Sequence, residues 1–310
     1  MCGLLSELAE TEDRRETRRV VAVGIFDGVH LGHRSILRET VSESEARSSG
    51  GVEVIPSVLT FSGIHKSGSA SAGMIFGPEE KEEFLRKEGI REIIVKPFSD
   101  VREMDCETFV RRVLIGELSA EAAVVGEDFR FGHGRTGNAE TLAELLRKEG
   151  KACRILPKTI CCGQPVSSTE IRSLLKEGHV EKANLLMGHP MTWILPVVSG
   201  NHIGRSLGYP TINQTIPADR VGMKFGVYLV SAEAEGRSYR GLCNIGVKPT
   251  VGGRTPVAET YLDGFSGDLY GKSVKISALR FLRPEEKFPD LDRLREQIGK
   301  DISSAFGKEN

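Results

Sequence analysis

The sequence predicts an α/β domain built on a parallel sheet, followed by an all-β barrel or sandwich that one C-terminal helix covers. Three observations carry that prediction. The chain has 310 residues and 33.9 kDa, enough for about two domains of ~100–200 residues each. Between residues 20 and 187, short apolar runs alternate with amphipathic helix patterns, as in strand–helix–strand units. After Gly188, prolines and glycines punctuate short β-branched and aromatic segments, and helical periodicity returns only near the end, as in antiparallel all-β folds. The expected domains are 1–187 and 188–310.

In chain order, Val20–Val23 is an apolar run ending at Gly24, and a helix pattern starts near Arg34. Val52–Phe61, Glu92–Val95, Ala122–Val125 and Cys153–Leu156 are further strand candidates. Strands apolar on both faces imply a sheet covered on both sides. Pro78 opens a helix that Gly89 closes, with acidic residues in its first turn, as the helix dipole favours. Asn138 is placed to cap Ala139–Glu149, whose Leu142, Leu145 and Leu146 share a face before Gly150. In the second half, Gly226–Ser231 and Lys272–Leu279 read as strands. Leu291, Leu294, Ile298 and Ile302 then recur at helical spacing after Pro289-Asp290.

Composition excludes several classes of function. Hydrophobic residues make up 39% and charged residues 27%, a core-forming balance. The formal net charge is −1, and residues 188–310 hold 16 basic against 13 acidic side chains, so neither half shows a nucleic-acid footprint. Cys2, Cys106, Cys153, Cys161, Cys162 and Cys243 form no C-x-x-C pair, which suits neither zinc nor a disulfide framework and points to a reduced compartment. The first residues are rich in Glu and Arg, unlike a signal peptide, and no run approaches the ~20 apolar residues of a membrane span. The expectation is a cytoplasmic protein without nucleic acid, membrane or an obligate protein partner.

The sharpest local signal is Gly24-Ile25-Phe26-Asp27-Gly28-Val29-His30-Leu31-Gly32-His33, between the first strand and a helix. Backbone N–H groups and the positive helix end converge at such a junction, which favours phosphate. Gly28 and Gly32 permit close backbone approach. His30 and His33, three apart, can donate two hydrogen bonds to one phosphoryl group. The string resembles the H-x-G-H signature of the α/β nucleotidyltransferases, in the version found in bacterial FMN adenylyltransferases. Val125-Gly126-Glu127-Asp128-Phe129-Arg130-Phe131-Gly132 and Val166-Ser167-Ser168-Thr169-Glu170-Ile171-Arg172 match that family's second and third motifs in order. The resemblance implies a Rossmann-like nucleotidyltransferase domain. Its nucleotide and flavin would be held by Gly24, Phe26, Asp27, Gly28, Asp128, Ser167, Ser168 and Thr169. His30 and His33 would stabilise the reacting phosphates, and Arg172 would clamp the pyrophosphate leaving group.

In the second half, Gly204-Arg205-Ser206-Leu207-Gly208-Tyr209-Pro210-Thr211-Ile212-Asn213 resembles the G-R-x-L-G-[FY]-P-T-A-N segment of riboflavin kinases. Asn244–Thr250, Glu259–Leu262, Leu269–Lys272 and Leu282–Phe288 follow in that family's order. With the first half, this implies a bifunctional riboflavin kinase/FAD synthetase with a riboflavin kinase barrel. Thr211 and Asn213, two apart on an extended segment, offer hard oxygen ligands suited to Mg²⁺ carried by ATP. Gly204 and Gly208 would let the backbone wrap the phosphates, Arg205 would add charge, and Glu259 would accept the proton of the riboflavin 5′-hydroxyl. The segment holding Arg283 would close over the flavin. Riboflavin, FMN and FAD are the implied substrates and products. A monofunctional kinase with a degenerate first domain is the alternative reading, and a non-catalytic flavin sensor or RNA-binding regulator is a third.

Some residues depart from the pattern or imitate another. Thr60–His65 lacks the Phe-Asp-Pro-His-Pro usual after the second strand, so a more flexible loop is expected there. Glu170 stands where a basic residue is common, Ile212 replaces alanine and Leu195 replaces glycine. Gly132–Gly137 fits G-x-G-x-x-G, yet no first strand leads into it. Gly267–Ser273 has one residue too few between its glycines for a phosphate-binding loop.

Overall fold

The computed structural model describes residues 17–49, 52–63, 73–200, 204, 207–250 and 253–307. They divide into two compact units, one within Met1–Ser67 and Lys81–Val166, the other within Gly68–Glu80 and Ser167–Asn310. Cys2, Ile64, His65 and Arg205 lie outside the described residues, so the expectations resting on them concern positions not described.

The first unit is built on a five-stranded sheet. Strands β1 (Arg18–Val23), β2 (Val54–Ser62), β3 (Glu92–Pro97), β4 (Ala120–Gly126) and β5 (Ala152–Leu156) lie in the order β3-β2-β1-β4-β5, all parallel. The apolar runs are continuous because alternate residues face opposite layers. Val20, Ala122 and Val124 pack with Ile36 of helix α1 (Leu31–Arg47). Val21, Val23, Ala123 and Val125 pack with Val110, Val113 and Leu114 of the π-type helix α3 (Phe109–Glu117) and Leu142 and Leu146 of α4 (Ala139–Lys148). Helix α2 (Pro78–Lys87) precedes β3. Strand order reverses beside β1, whose neighbours are β2 and β4, and the crevice outside the strand C-termini there is where open α/β sheets bind ligands. Asn138 caps α4 as expected, accepting the Thr141 N–H at 2.8 Å.

Helix α1 begins at Leu31 rather than near Arg34, so His33 lies in its first turn. Gly132–Gly137 has a packing reason: a Cβ at Gly132 or Gly137 would lie 2.6 Å from Cys106 Sγ. Helix α3 is not among the expected elements, although Phe109, Val110, Val113 and Leu114, at helical spacing around an exposed Arg-Arg pair, are all buried.

The second unit carries a six-stranded antiparallel sheet. Its strands are β6 (Met191–Pro196), β7 (Thr211–Thr215), β8 (Gly226–Ala234), β9 (Arg237–Thr250), β10 (Gly253–Leu262) and β11 (Ser273–Pro284), in the order β6-β11-β8-β9-β10-β7. The sheet is a curled half-barrel: among the described residues no ladder joins β6 to β7, but Val198, just past β6, donates its backbone N–H to the Asn213 carbonyl of β7 at 2.8 Å. The buried Gln214 adds a side-chain tie between those edges. Its Oε1 accepts from Trp193 Nε1 at 2.9 Å, and its Nε2 donates to the Leu195 and Val274 carbonyls at 2.7 and 2.8 Å. The final helix α7 (Leu291–Phe306) is capped by Asp290, which accepts the Arg293 N–H at 2.8 Å. Leu291 is exposed while Leu294, Ile298 and Ile302 are half-buried.

Helices α5 (Ser168–Glu177) and α6 (Val180–Met187) also belong to the second unit. So does a strap, 73–80, that follows β2 in sequence and runs into the first turn of α2. Its Met74 bridges to Arg220, and Phe76 stacks on His189 with ring centroids 5.5 Å apart. The fully buried Glu80 accepts from the backbone N–H of Gly77 and Ile194 at 2.8 and 2.6 Å and pairs with Arg220 at 2.9 Å.

Candidate active sites

In the first unit the turn after β1 is built under strain. Phe26 and Val29 take φ of +52° and +35°, and Gly28 +78°. A β-branched residue at positive φ is an outlier that the surroundings must over-determine, and such outliers cluster at functional turns. Phe26 and Val29 are buried, which anchors the turn. A Cβ at Gly24 would press on the Phe26 ring at 3.2 Å, which explains the glycine.

His30 is the N-cap of α1, its Nδ1 accepting the His33 N–H at 3.3 Å. An accepting Nδ1 carries no proton, so the neutral ring holds its proton on Nε2. The two imidazoles stack with centroids 3.6 Å apart, and Phe26 meets His33 edge-on at 5.3 Å. The histidine pair is thus held rigidly at the positive end of a seventeen-residue helix. A Cβ at Gly126, the end of β4, would touch Asp128 Oδ1 at 3.2 Å and Ile36 of α1 at 3.6 Å. The fold therefore brings the Asp128 motif beside the histidine helix.

Lys81 was not legible as a site residue. It is the lone lysine in Glu79-Glu80-Lys81-Glu82-Glu83, a pattern that reads as a solvated helix face. In the structure its Nζ reaches Thr60 Oγ1 at 3.5 Å, and Thr60 donates to the Ile25 carbonyl at 3.2 Å. Burial pulls the Lys81 ammonium below its ordinary value, and the neighbouring Asp27 carboxylate only partly offsets this. Asp27 is itself buried.

The third motif lies in the second unit. Ser167 caps α5, accepting the Glu170 N–H at 3.2 Å, while Thr169 and Glu170 are exposed. Arg172 is buried and donates from Nε to the Gly73 carbonyl of the strap at 2.8 Å. Ser168 is half-buried on the first turn.

In the sheet of the second unit, Asn213 lies opposite Glu259, and Glu259 opposite Asn244. Directly opposed residues share a sheet face, so this row sets a carboxylate between two amides. Thr211, two residues before Asn213, stands on the same face opposite Tyr261. A Cβ at Gly200 would lie 2.5 Å from the Asn213 amide, and one at Gly204 3.3 Å from Thr211 Oγ1. Bare backbone therefore cradles both side chains. Their hydroxyl and amide oxygens are hard donors that fit Mg²⁺, which takes few protein ligands and keeps phosphate and water oxygens. Gly208 takes φ +85° in the turn before β7. Asn244, absent from the expected site residues, donates to Glu285 at 3.3 Å. Arg283 is tied to α7: its Nη2 and Nε meet Asp301 Oδ2 at 2.8 and 3.0 Å, and Gln297 supports Asp301 Oδ1 at 2.9 Å.

A family model described as FAD synthetase matches residues 12–170, and one described as riboflavin kinase matches residues 187–307. A bifunctional riboflavin kinase/FMN adenylyltransferase of Bacillus subtilis is 33% identical over 303 residues, covering 94% of this chain and 92% of its own. The protein of the same description from Haemophilus influenzae is 30% identical over 290 residues, covering 92% of each. A crystal structure described as a macrolide-efflux protein from Streptococcus pneumoniae superposes with a TM-score of 0.82 at 27% identity, over 94% of this chain and 95% of that one. Among the described residues no helix is long and apolar enough to cross a membrane.

Proposed function

The chain belongs to the bifunctional riboflavin kinase/FMN adenylyltransferase family, and from that premise we propose how its residues divide two successive transfers. The enzyme phosphorylates riboflavin with ATP to give FMN, then transfers AMP from a second ATP to FMN, releasing pyrophosphate. The monofunctional alternative is set aside, since both family models match and the relatives carry both activities in their descriptions. We assign the adenylyl transfer to 1–187 and the kinase to 188–310, with riboflavin, FMN and ATP as small-molecule substrates in the cytoplasm.

For the kinase, Glu259 accepts the 5′-hydroxyl proton as that oxygen attacks the γ-phosphorus of ATP. The supporting observation is the Asn213–Glu259–Asn244 row. Mg²⁺ bound to ATP neutralises phosphate charge, and the Thr211 hydroxyl and Asn213 amide oxygens would hold it. Gly204, Arg205 and Gly208 border the phosphates. Arg283 acts through position: its ion pair with Asp301 supports the strand end that leads into the flavin-covering segment.

For the adenylyltransferase, the FMN phosphate attacks the α-phosphorus of ATP directly, without a covalent enzyme intermediate. His30, with its proton on Nε2, and His33 donate to the phosphates at the helix N-terminus. Gly24, Phe26, Asp27, Gly28 and Asp128 shape the nucleotide site, and Lys81 balances the buried Asp27 carboxylate. Ser167, Ser168, Thr169 and Arg172 serve the pyrophosphate. The strained β1–α1 turn carries this half of the reading.

Incubation with riboflavin, ATP and Mg²⁺, followed by chromatography of the flavins, tests the scheme; neither product should form in excess chelator. Glu259→Gln should stop FMN formation, with a loss of about 10²–10⁴ in rate, while supplied FMN still becomes FAD. His33→Ala should slow FAD formation by about 10²–10³ and leave FMN as the product. Loss of both reactions in folded Glu259→Gln protein would overturn the separation of sites.

A further inference from the structure

Cys161 and Cys162 sit at the tip of a two-stranded hairpin, Ile160–Cys161 with Gln164–Pro165. Cys162 and Gly163 form its two-residue turn with φ of +52° and +77°. Positive φ at both positions marks a type I′ turn, which favours Asn-Gly or Asp-Gly. Cysteine has no conformational reason to stand there. Its Sγ lies 3.9 Å from that of Cys161, and Cys162 is exposed. Two other thiols are kept from such chemistry: burial pushes Cys153 up to about 11 and Cys243 up to about 12, which starves them of thiolate. The Cys161 thiol is also raised, by desolvation and by its neighbour Cys162, so Cys162 is the one that attacks first.

The hairpin leads back to the first active site. Val166 N–H donates to the Thr159 carbonyl at its base, at 2.9 Å. Thr159 Oγ1 meets Ser35 Oγ of α1 at 3.2 Å, and a Cβ at Gly32 would touch Thr159 Cβ at 3.9 Å. Ser35 and Gly32 flank His33. Thr159 therefore buttresses the turn that holds the histidine pair, and a single residue pair, Ile160–Pro165, separates it from Cys161.

We propose that Cys161 and Cys162 are a redox modification site that closes to a vicinal disulfide and slows adenylyl transfer. A peroxide is the oxidant. The Cys162 thiolate attacks one peroxide oxygen, breaking the O–O bond and becoming a sulfenic acid, while the other oxygen leaves as water after protonation. The Cys161 sulfur then attacks the Cys162 sulfur, its proton and the departing hydroxide forming a second water. Two thiols lose two electrons and one peroxide gains them. The Cα atoms of adjacent residues stand ~3.8 Å apart across a trans peptide, nearer than the ~4.4–6.8 Å usual for disulfides. The ring is therefore strained and readily reduced by a dithiol, as regulatory disulfides are. Drawing the sulfurs from 3.9 Å to bonding distance twists the turn. So short a hairpin passes that twist to Thr159 and the α1 start.

The slowing of adenylyl transfer rests on the assignment of that site to the β1–α1 turn; the bond itself does not, and the two are read separately. The full-length enzyme is treated with hydrogen peroxide, its remaining thiols alkylated, and the digest weighed. Both activities are assayed before and after dithiothreitol. The peptide holding both cysteines should be lighter by two hydrogens and unalkylated. FAD formation should fall by about tenfold and recover on reduction, with FMN formation unchanged. Cys162→Ser should keep its FAD formation under peroxide, and Cys161→Ser serves as a second variant if that one fails to fold. Alkylation at both positions after peroxide, a bond to another cysteine, or a closed bond with unchanged FAD formation overturns the proposal. If the bond closes without effect and His33→Ala also spares FAD formation, the site assignment has failed instead.

Discussion

His30 is given two jobs, one for each ring nitrogen: Nδ1 caps α1 by accepting the His33 N–H, and Nε2 carries the proton assigned to the phosphates. The jobs can be separated by substitution. His30→Asn keeps a cap acceptor, so its melting temperature should stay near wild type while FAD formation falls. His30→Ala should lose FAD formation and in addition about 1 kcal/mol of stability, readable in urea titrations. Equal stability of the two variants would mean that the cap contributes nothing. Lys81 offers a test on pH. Folded, it binds its proton less readily than at its ordinary 10.5. Between the lowered value and 10.5 the unfolded chain holds more protons, so Lys81 makes stability rise with pH in that window. Wild-type protein should therefore gain on Lys81→Met in thermal melts as pH rises towards 10.5. Parallel curves would show that Lys81 is not buried in solution.

At the scale of elements, the second sheet shows how a side chain can stand in for a ladder. Gln214 satisfies the Trp193 indole N–H and two carbonyls across the gap between β6 and β7, all in a buried setting. Gln214→Leu keeps the volume and orphans those partners. A loss of about 1–3 kcal/mol for each group left unpaired is expected, seen as a lower urea midpoint at unchanged slope. An unaltered midpoint would mean that water replaces the amide or that the edges are held by other contacts. The helix ends, by contrast, follow local rules: Asn138, Ser167 and Asp290 each accept the N–H three residues on.

At the scale of the whole molecule, the boundary between the two compact units is not a single cut in the chain. Residues 73–80, which run into the first turn of α2, pack with the second unit, where Glu80 answers Arg220 and two backbone N–H groups. Removing one partner of a buried pair costs about 3–5 kcal/mol, so Glu80→Gln should lower the melting temperature of the full chain. Residues 188–310 expressed alone should keep kinase activity and melt lower than the kinase half does in the full chain, because Arg220 then lacks its carboxylate. A fragment as stable as the full chain would show that the strap contributes nothing.

The sequence by itself determined the parallel-sheet runs, the capped ends of α2, α4 and α7, and the order of motifs that names the family. Those features depend on residues near one another in the chain. Apolar runs, Asn and Asp caps, and glycines beside catalytic turns act through local backbone and burial preferences. Tertiary structure alone decided which residue of Glu79–Glu83 is buried against Arg220, 140 positions away, and which faces Asp27. It also decided that Arg283 meets Asp301 and that β6 and β7 are joined by one backbone bridge and Gln214 rather than by a ladder. A run of glutamates around one lysine has the same local preferences at every position. Only packing between distant segments desolvates some of those charges and leaves the others in water.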